Sequence, residues 1–177
     1  MADTDERRAT DRGSRWLAVL VAGLALCLVF ALVMNPTTPG PVGPNRSAAA
    51  TMLGWINEER LANDLTPLMP AEDIARVAET WSAEMAATAT MEHNPAFGDQ
   101  LCCWELVTEN VAYGEAYRVW LPGDPVERLT LELHEGLLAS PGHRANLLDP
   151  NVDQLGIGVH LDPEGTMWIT QNFRRSR

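Results

Sequence analysis

The run Trp16–Met34, WLAVLVAGLALCLVFALVM, places nineteen residues in succession without a single charge. At about 1.5 Å of rise per residue, a helix of that length spans roughly the 30 Å of a bilayer core. The run therefore divides the 177-residue chain into parts that meet different solvents. Arg7, Arg8, Arg12 and Arg15 precede it and only Arg46 follows closely, and positive charge beside a span is retained on the cytoplasmic side. Residues 1–15 are expected in the cytoplasm, 16–34 as a transmembrane signal anchor, and the rest of the chain outside in a single-pass topology at the cell membrane. A cleavable signal has a shorter apolar stretch and an A-x-A site, whereas this run ends in ALVMNPT, which favours an uncleaved anchor; cleavage would make the domain secreted.

Residues 35–47 are rich in Pro and Gly and read as a semi-rigid spacer, leaving residues 48–177 as the folded domain. In that domain twenty acidic residues face eight arginines, a formal charge of −12. Nucleic acid is excluded as a partner, because phosphate binding requires a basic face. Of three cysteines, Cys27 lies within the apolar run, and Cys102 and Cys103 are adjacent in QLCCWE, so no disulfide framework is available. The adjacent pair can form a vicinal disulfide, bond a second chain, or remain as small apolar thiols.

Helical spacing of Leu53, Ile56, Arg60 and Leu61 predicts a helix ending near Asn63. A second, more regular stripe follows in Ile74, Val77, Ala78, Trp81, Met85 and Ala89, and it stops before Asn94-Pro95, leaving His93 just behind the helix C-terminus. Residues 95–124 have no regular period and read as loop with a helical turn near TENVAYG. Val126, Leu129, Leu133 and Leu137 predict a third helix that runs to the Ser140-Pro141-Gly142 stop, with a short helix after it carrying His143 and Arg144. The period then changes. LGIGVHL and TMWITQNF alternate about a DPEG turn, which predicts a β-hairpin whose glycine face, Gly156 and Gly158, invites close approach by another element. Helices followed by an antiparallel pair give an α+β layered domain.

Three groups at element boundaries stand out as chemistry-bearing: His93, Glu109 and His143. Two imidazoles and a carboxylate suit Zn²⁺ or a similar divalent cation, although the intervals lack the short ligand pair of structural zinc sites, and hydrogen bonding between loops accounts for the same residues. HEGLL at His134-Glu135 supplies only half of H-E-x-x-H, since the second His position is Leu138; His134 is expected on the helix surface. No G-x-S-x-G elbow is present, and Ser140 is a turn residue beside Pro-Gly.

In this order, MLGWINEERLANDLTPL, the HNP at His93, TENVAYG, SPGHRANLLDP and the closing pair LGIGVHL and MWITQNF resemble the CAP superfamily of cysteine-rich secretory, antigen 5 and group 1 pathogenesis-related proteins, in its short bacterial branch. The resemblance covers about Met52 to Phe173. It implies a three-layer α-β-α sandwich with a small antiparallel sheet, and a cavity lined by His93, Glu109 and His143 in which the His pair holds a divalent metal in some members. Thr108 stands where the family usually has Gly, Leu137 where Trp is common, and Glu135 lies at the wrong spacing for a second cavity glutamate. The implied function is a tethered, noncatalytic binding protein for a lipid or other small apolar ligand. The alternatives are a metal-assisted hydrolase of cell-wall or peptide substrate and a scaffold for an envelope protein.

Overall fold

The computed structural model describes residues 43–115 and 123–177. The expected cytoplasmic segment, the membrane span 16–34 and residues 35–42 of the spacer lie outside the described residues. Among the described residues, no helix is long and apolar enough to cross a membrane.

Helix α1 runs Pro44–Ala62. It begins four residues ahead of the expected domain boundary, because Pro44 occupies the first helical turn, where a missing N–H is tolerated and φ is already helical. Its inward stripe is Ala48, Met52, Ile56 and Arg60, all buried, while Leu61 points outward at 59% exposure. The buried stripe thus keeps a strict four-residue interval, and Leu61 falls one step off it.

A two-residue strand, β1 (Met69–Pro70), comes between the first two helices, and α2 (Glu72–Thr88) follows it. The greatest departure from expectation is β2, Trp104–Glu115, where loop and a helical turn are predicted. Its side chains are partly covered on both faces, so the alternation that marks a half-buried strand is absent. Helices α3 (Pro125–Ala139) and α4 (Pro141–Leu147) follow as predicted, α3 capped by Asp124, whose side chain accepts from the Val126 N–H at 2.8 Å. Strands β3 (Gln154–Leu161) and β4 (Thr166–Ser176) form the predicted hairpin.

The sheet has the order β1-β3-β4-β2. Both β3 and β2 run antiparallel to β4, but β1 pairs parallel with β3 through Met69↔Gln154 and Pro70↔Leu155, so the sheet is mixed rather than purely antiparallel. Consecutive residues of β4 reveal the layers. Thr170 accepts from Ser82 of α2 at 2.9 Å, and Gln171 approaches Met52 of α1 at 3.0 Å. Neighbours along a strand point to opposite faces, so α1 and α2 cover opposite sides and the domain is an α-β-α sandwich. The larger core lies on the α1 side, where Met52 and Ile56 meet Leu129, Leu133 and Leu137 of α3 over Ile157, Ile169 and Phe173. On the α2 side Met85, Val111 and Trp168 form a smaller cluster.

The glycine face seats α2. A Cβ on Gly156 would stand 2.3 Å from Ala75 N, and one on Gly158 would stand 2.1 Å from Ala78 C. Helix and sheet therefore touch backbone to backbone, which only glycine allows here.

His134 is a correction. It is 4% exposed, not on the surface, because α3 presents it toward α1, where its ring meets Trp55 with centroids 5.5 Å apart. Burial pushes its pKa down, against the opposing charges of Glu59 and Glu135.

Candidate functional site

Helix α2 ends where Ala89 adopts a left-handed φ of 49° and the Thr90 N–H closes back on Met85 O at 3.1 Å. The released segment is held by Trp81, whose indole N–H donates to Glu92 O at 2.9 Å. His93 follows directly. Asn94 then turns the chain: its Oδ1 accepts from the Ala96 N–H at 3.0 Å and its Nδ2 donates to Gln100 Oε1 at 2.9 Å.

Glu109 comes from the edge strand β2. Its Oε1 lies 2.9 Å from His93 Nδ1 and accepts from the Asn94 N–H at 2.8 Å. The Glu109 side chain is 6% exposed and the His93 side chain 64%, so a nearly buried carboxyl orients an imidazole that faces solvent. With Nδ1 turned to the carboxyl, Nε2 is the ring nitrogen left to face solvent. Burial pushes the Glu109 pKa up, partly offset by the bonds from Asn94 and His93. Its second oxygen, Oε2, is buried without a protein partner. Directly across the ladder stands Asn172, wholly buried, with neither carboxamide atom paired.

His143 arrives from the opposite face of the sheet on α4. Asn110 Nδ2 donates to His143 O at 3.1 Å, and Asn146 Nδ2 donates to Asn110 Oδ1 at 2.8 Å and to Glu109 O at 3.2 Å. Because Glu109 and Asn110 are consecutive in a strand, one side chain joins the α2 layer and the other the α4 layer. The site therefore straddles the open edge of the sheet. The His143 pKa is lowered, first by burial and then by the charge of His93, so the two imidazoles interact electrostatically.

All three residues singled out in the sequence thus lie at one edge, although Glu109 is bonded to His93 rather than standing as an independent ligand. Among the described residues no group of three His, Cys, Asp or Glu side chains is arranged to hold a metal ion. The supporting residues Asn94, Asn110, Asn146 and Asn172 carry a weaker signal, namely that polar side chains inside a strand or beside a turn must find partners when buried.

Residues 53–173 match the family model described as CAP, the cysteine-rich secretory protein family. The chain is a member of the CAP family. Solved structures agree with this membership. An extracellular protein containing a SCP domain from Bacillus anthracis is 26% identical, with a TM-score of 0.59 over 77% of this CAP chain and 45% of that protein. A cysteine-rich secretory protein from Staphylococcus aureus is 24% identical, with a TM-score of 0.55 over 77% of this chain and 40% of that one. An outer surface protein of Borrelia burgdorferi, 15% identical, shares the fold with a TM-score of 0.62 over 74% of this chain and 94% of its own. The CAP chain thus spans less than half the length of the Bacillus and Staphylococcus proteins. No curated protein matches it significantly in sequence.

Proposed function

We propose that this CAP domain is a membrane-tethered, extracytoplasmic binding protein for a small apolar ligand, with a cation-responsive His93–His143 pair at a separate edge. The observation that carries this reading is an apolar groove of about 350 Å³ between α1, α2 and the β1 side of the sheet, lined by Ala49, Ala50, Leu53, Pro70, Ala75 and Leu155 among others. Small side chains on both helices keep the groove open, and its size falls at the lower end of ligand clefts, about 300–1,000 Å³. The extracellular Bacillus protein supports the location outside the membrane, and the uncharged run at 16–34 supports the tether.

A divalent cation would be held by the imidazoles of His93 and His143, with Glu109 fixing the ring of His93 from behind. Such a cation would supply Lewis-acid polarisation when bound. The chain's own residues orient the ring, keep His143 neutral near pH 7 and place a buried carboxyl nearby. That carboxyl supports a second reading, hydrolysis, because the unpartnered Oε2 with a raised pKa is suited to take and return a proton. Under that reading His143→Ala abolishes turnover of a peptidoglycan or peptide substrate while the domain stays folded.

Uptake of a fluorescent long-chain fatty acid tests the binding reading. Wild type is expected to bind it, and Ala50→Trp, which fills the groove from an exposed helix position, to lose it. Equal signal from both proteins, or none from wild type, would sink the assignment of this groove.

A further inference from the structure

Two thiols stand side by side at the entrance to β2, and ligand binding makes no use of them. Cys102 and Cys103 are both exposed, which removes burial as the reason for them. The Cys103 thiol donates to Cys102 Sγ across 2.7 Å. Their backbone is held in an unusual shape: Cys103 has a φ of 64°, in the left-handed region that residues with a Cβ seldom occupy. The Cys103 carbonyl accepts from the Arg177 N–H at 3.1 Å, and pairing of β2 with β4 begins at the next residue, Trp104↔Ser176. Cys102 also lines an open depression of about 490 Å³ together with Arg76, Val77 and Thr80 of α2 and with Gln100 and Leu101. A small disulfide can therefore reach Cys102 from that side.

We propose that Cys102 and Cys103 form a redox-active dithiol that exchanges with a low-molecular-weight disulfide to give a reversible bridge between the two adjacent residues. Cys102, as thiolate, attacks one sulfur of the external disulfide, forming a mixed disulfide and releasing one thiolate. Cys103 then loses its proton to solvent and attacks Cys102 Sγ. The mixed disulfide breaks, the second external thiolate leaves, and both released thiolates take up protons. In sum two protein thiols are oxidised and one external disulfide is reduced to two thiols.

The order follows from the local chemistry. The hydrogen bond to Cys102 and the charge of Cys102 push the Cys103 pKa up, while Arg174 and Arg177 pull it down less strongly. Cys102, which lines the depression, is the thiol an external disulfide reaches and attacks first, and Cys103 beside it resolves the mixed disulfide. Reversibility follows from covalent geometry. Adjacent Cα atoms are about 3.8 Å apart, below the roughly 4.4–6.8 Å that an unstrained disulfide spans. A bridge here is strained and readily reduced, the property of labile rather than structural disulfides.

The test uses the full chain carrying Cys27→Ser, equilibrated in mixtures of reduced and oxidised glutathione, quenched with an alkylating reagent and weighed intact and as proteolytic fragments. In reducing mixtures both thiols of the pair should be alkylated. In oxidising mixtures the monomer should lose two hydrogens and resist alkylation, with full return on reduction. Cys102→Ser and Cys103→Ser should each halt at a single glutathione adduct. Glutathione adducts that persist on the intact pair, interchain dimers, or two thiols still alkylated at the most oxidising ratio would each overturn the proposal.

Discussion

One oxygen of Glu109 serves two partners: its Oε1 accepts from the Asn94 N–H at 2.8 Å and lies 2.9 Å from His93 Nδ1. A single buried atom thereby fixes both the imidazole and the backbone from which that imidazole extends. The ring is held, while the face of it that remains exposed is offered to whatever the site receives.

Zn²⁺ titrated calorimetrically near neutral pH is expected to bind wild type at micromolar affinity or tighter, and to fail with His93→Ala or His143→Ala. Glu109→Gln, which keeps an acceptor but removes its charge, should weaken binding roughly 10–100-fold, the usual effect of losing an orienting partner. Binding should also fade in acid, because an imidazole must be deprotonated to ligate a metal. Heat changes identical in wild type and both alanine variants would place zinc elsewhere.

The raised pKa of Glu109 gives stability a definite slope. The folded chain holds its proton more tightly than the unfolded chain, so this contribution is fully present below the unfolded carboxyl pKa and is lost as pH rises through the higher folded value. Glu109→Gln has no proton to lose. Its melting temperature should therefore gain on wild type from about pH 4 upward and hold a constant lead once the wild-type carboxyl has ionised. Two melting curves that run parallel across that range would contradict this.

Glycine substitutions should separate by contact alone. Gly158→Ala drives a Cβ to within 2.2 Å of Ala78 O, and neither backbone can yield without shifting α2, so a loss of about 3 kcal/mol or failure to fold is expected in urea titration. Gly54→Ala, on an exposed face of α1 with no atom within 4 Å, should instead add about 0.5–1 kcal/mol. A similar effect at both sites would mean that α2 is not seated on the sheet in this way.

Arg60 is 1% exposed and its guanidinium donates to the carbonyls of Thr66, Leu147 and Asp149 at 2.9, 2.9 and 3.0 Å. Burial lowers its pKa and the charge of Asp149 opposes that. Arg60→Met fills similar space but leaves those acceptors without a donor, at about 1–3 kcal/mol for each one that water cannot reach. Urea titration should show a destabilisation of at least about 2 kcal/mol; a neutral result would mean that water replaces the guanidinium.

The helices and the hairpin were legible because each buries one stripe against one layer, so the period of the pattern equals the period of the element. Strand β2 was not, since both its faces are partly covered and its polar pair, Glu109 and Asn110, points into different layers. The position of His134 was hidden for a related reason: a titratable side chain stacked on Trp55 looks, by residue type, like a surface group. The site's three principal residues were visible as isolated polar groups at boundaries. Their connection through Asn94, Asn110 and Asn146 depends on tertiary contacts 15 to 37 residues apart in the chain, which local spacing does not encode.

The strand order carries a consequence for how the domain comes into being. Strand β4 follows every other strand in sequence yet sits between β3 and β2. Among the described residues, the strand bearing Glu109 pairs only with residues 166–176, and without them β3 has only the two-residue β1. A chain interrupted before Thr166 holds two strands with no common neighbour, and pairings such as Glu109↔Asn172 close loops of some sixty residues, which makes folding slow. Completion of the sheet on both sides of β4, the strand that pairs with the one bearing Glu109, therefore depends on a single segment near the end of the domain.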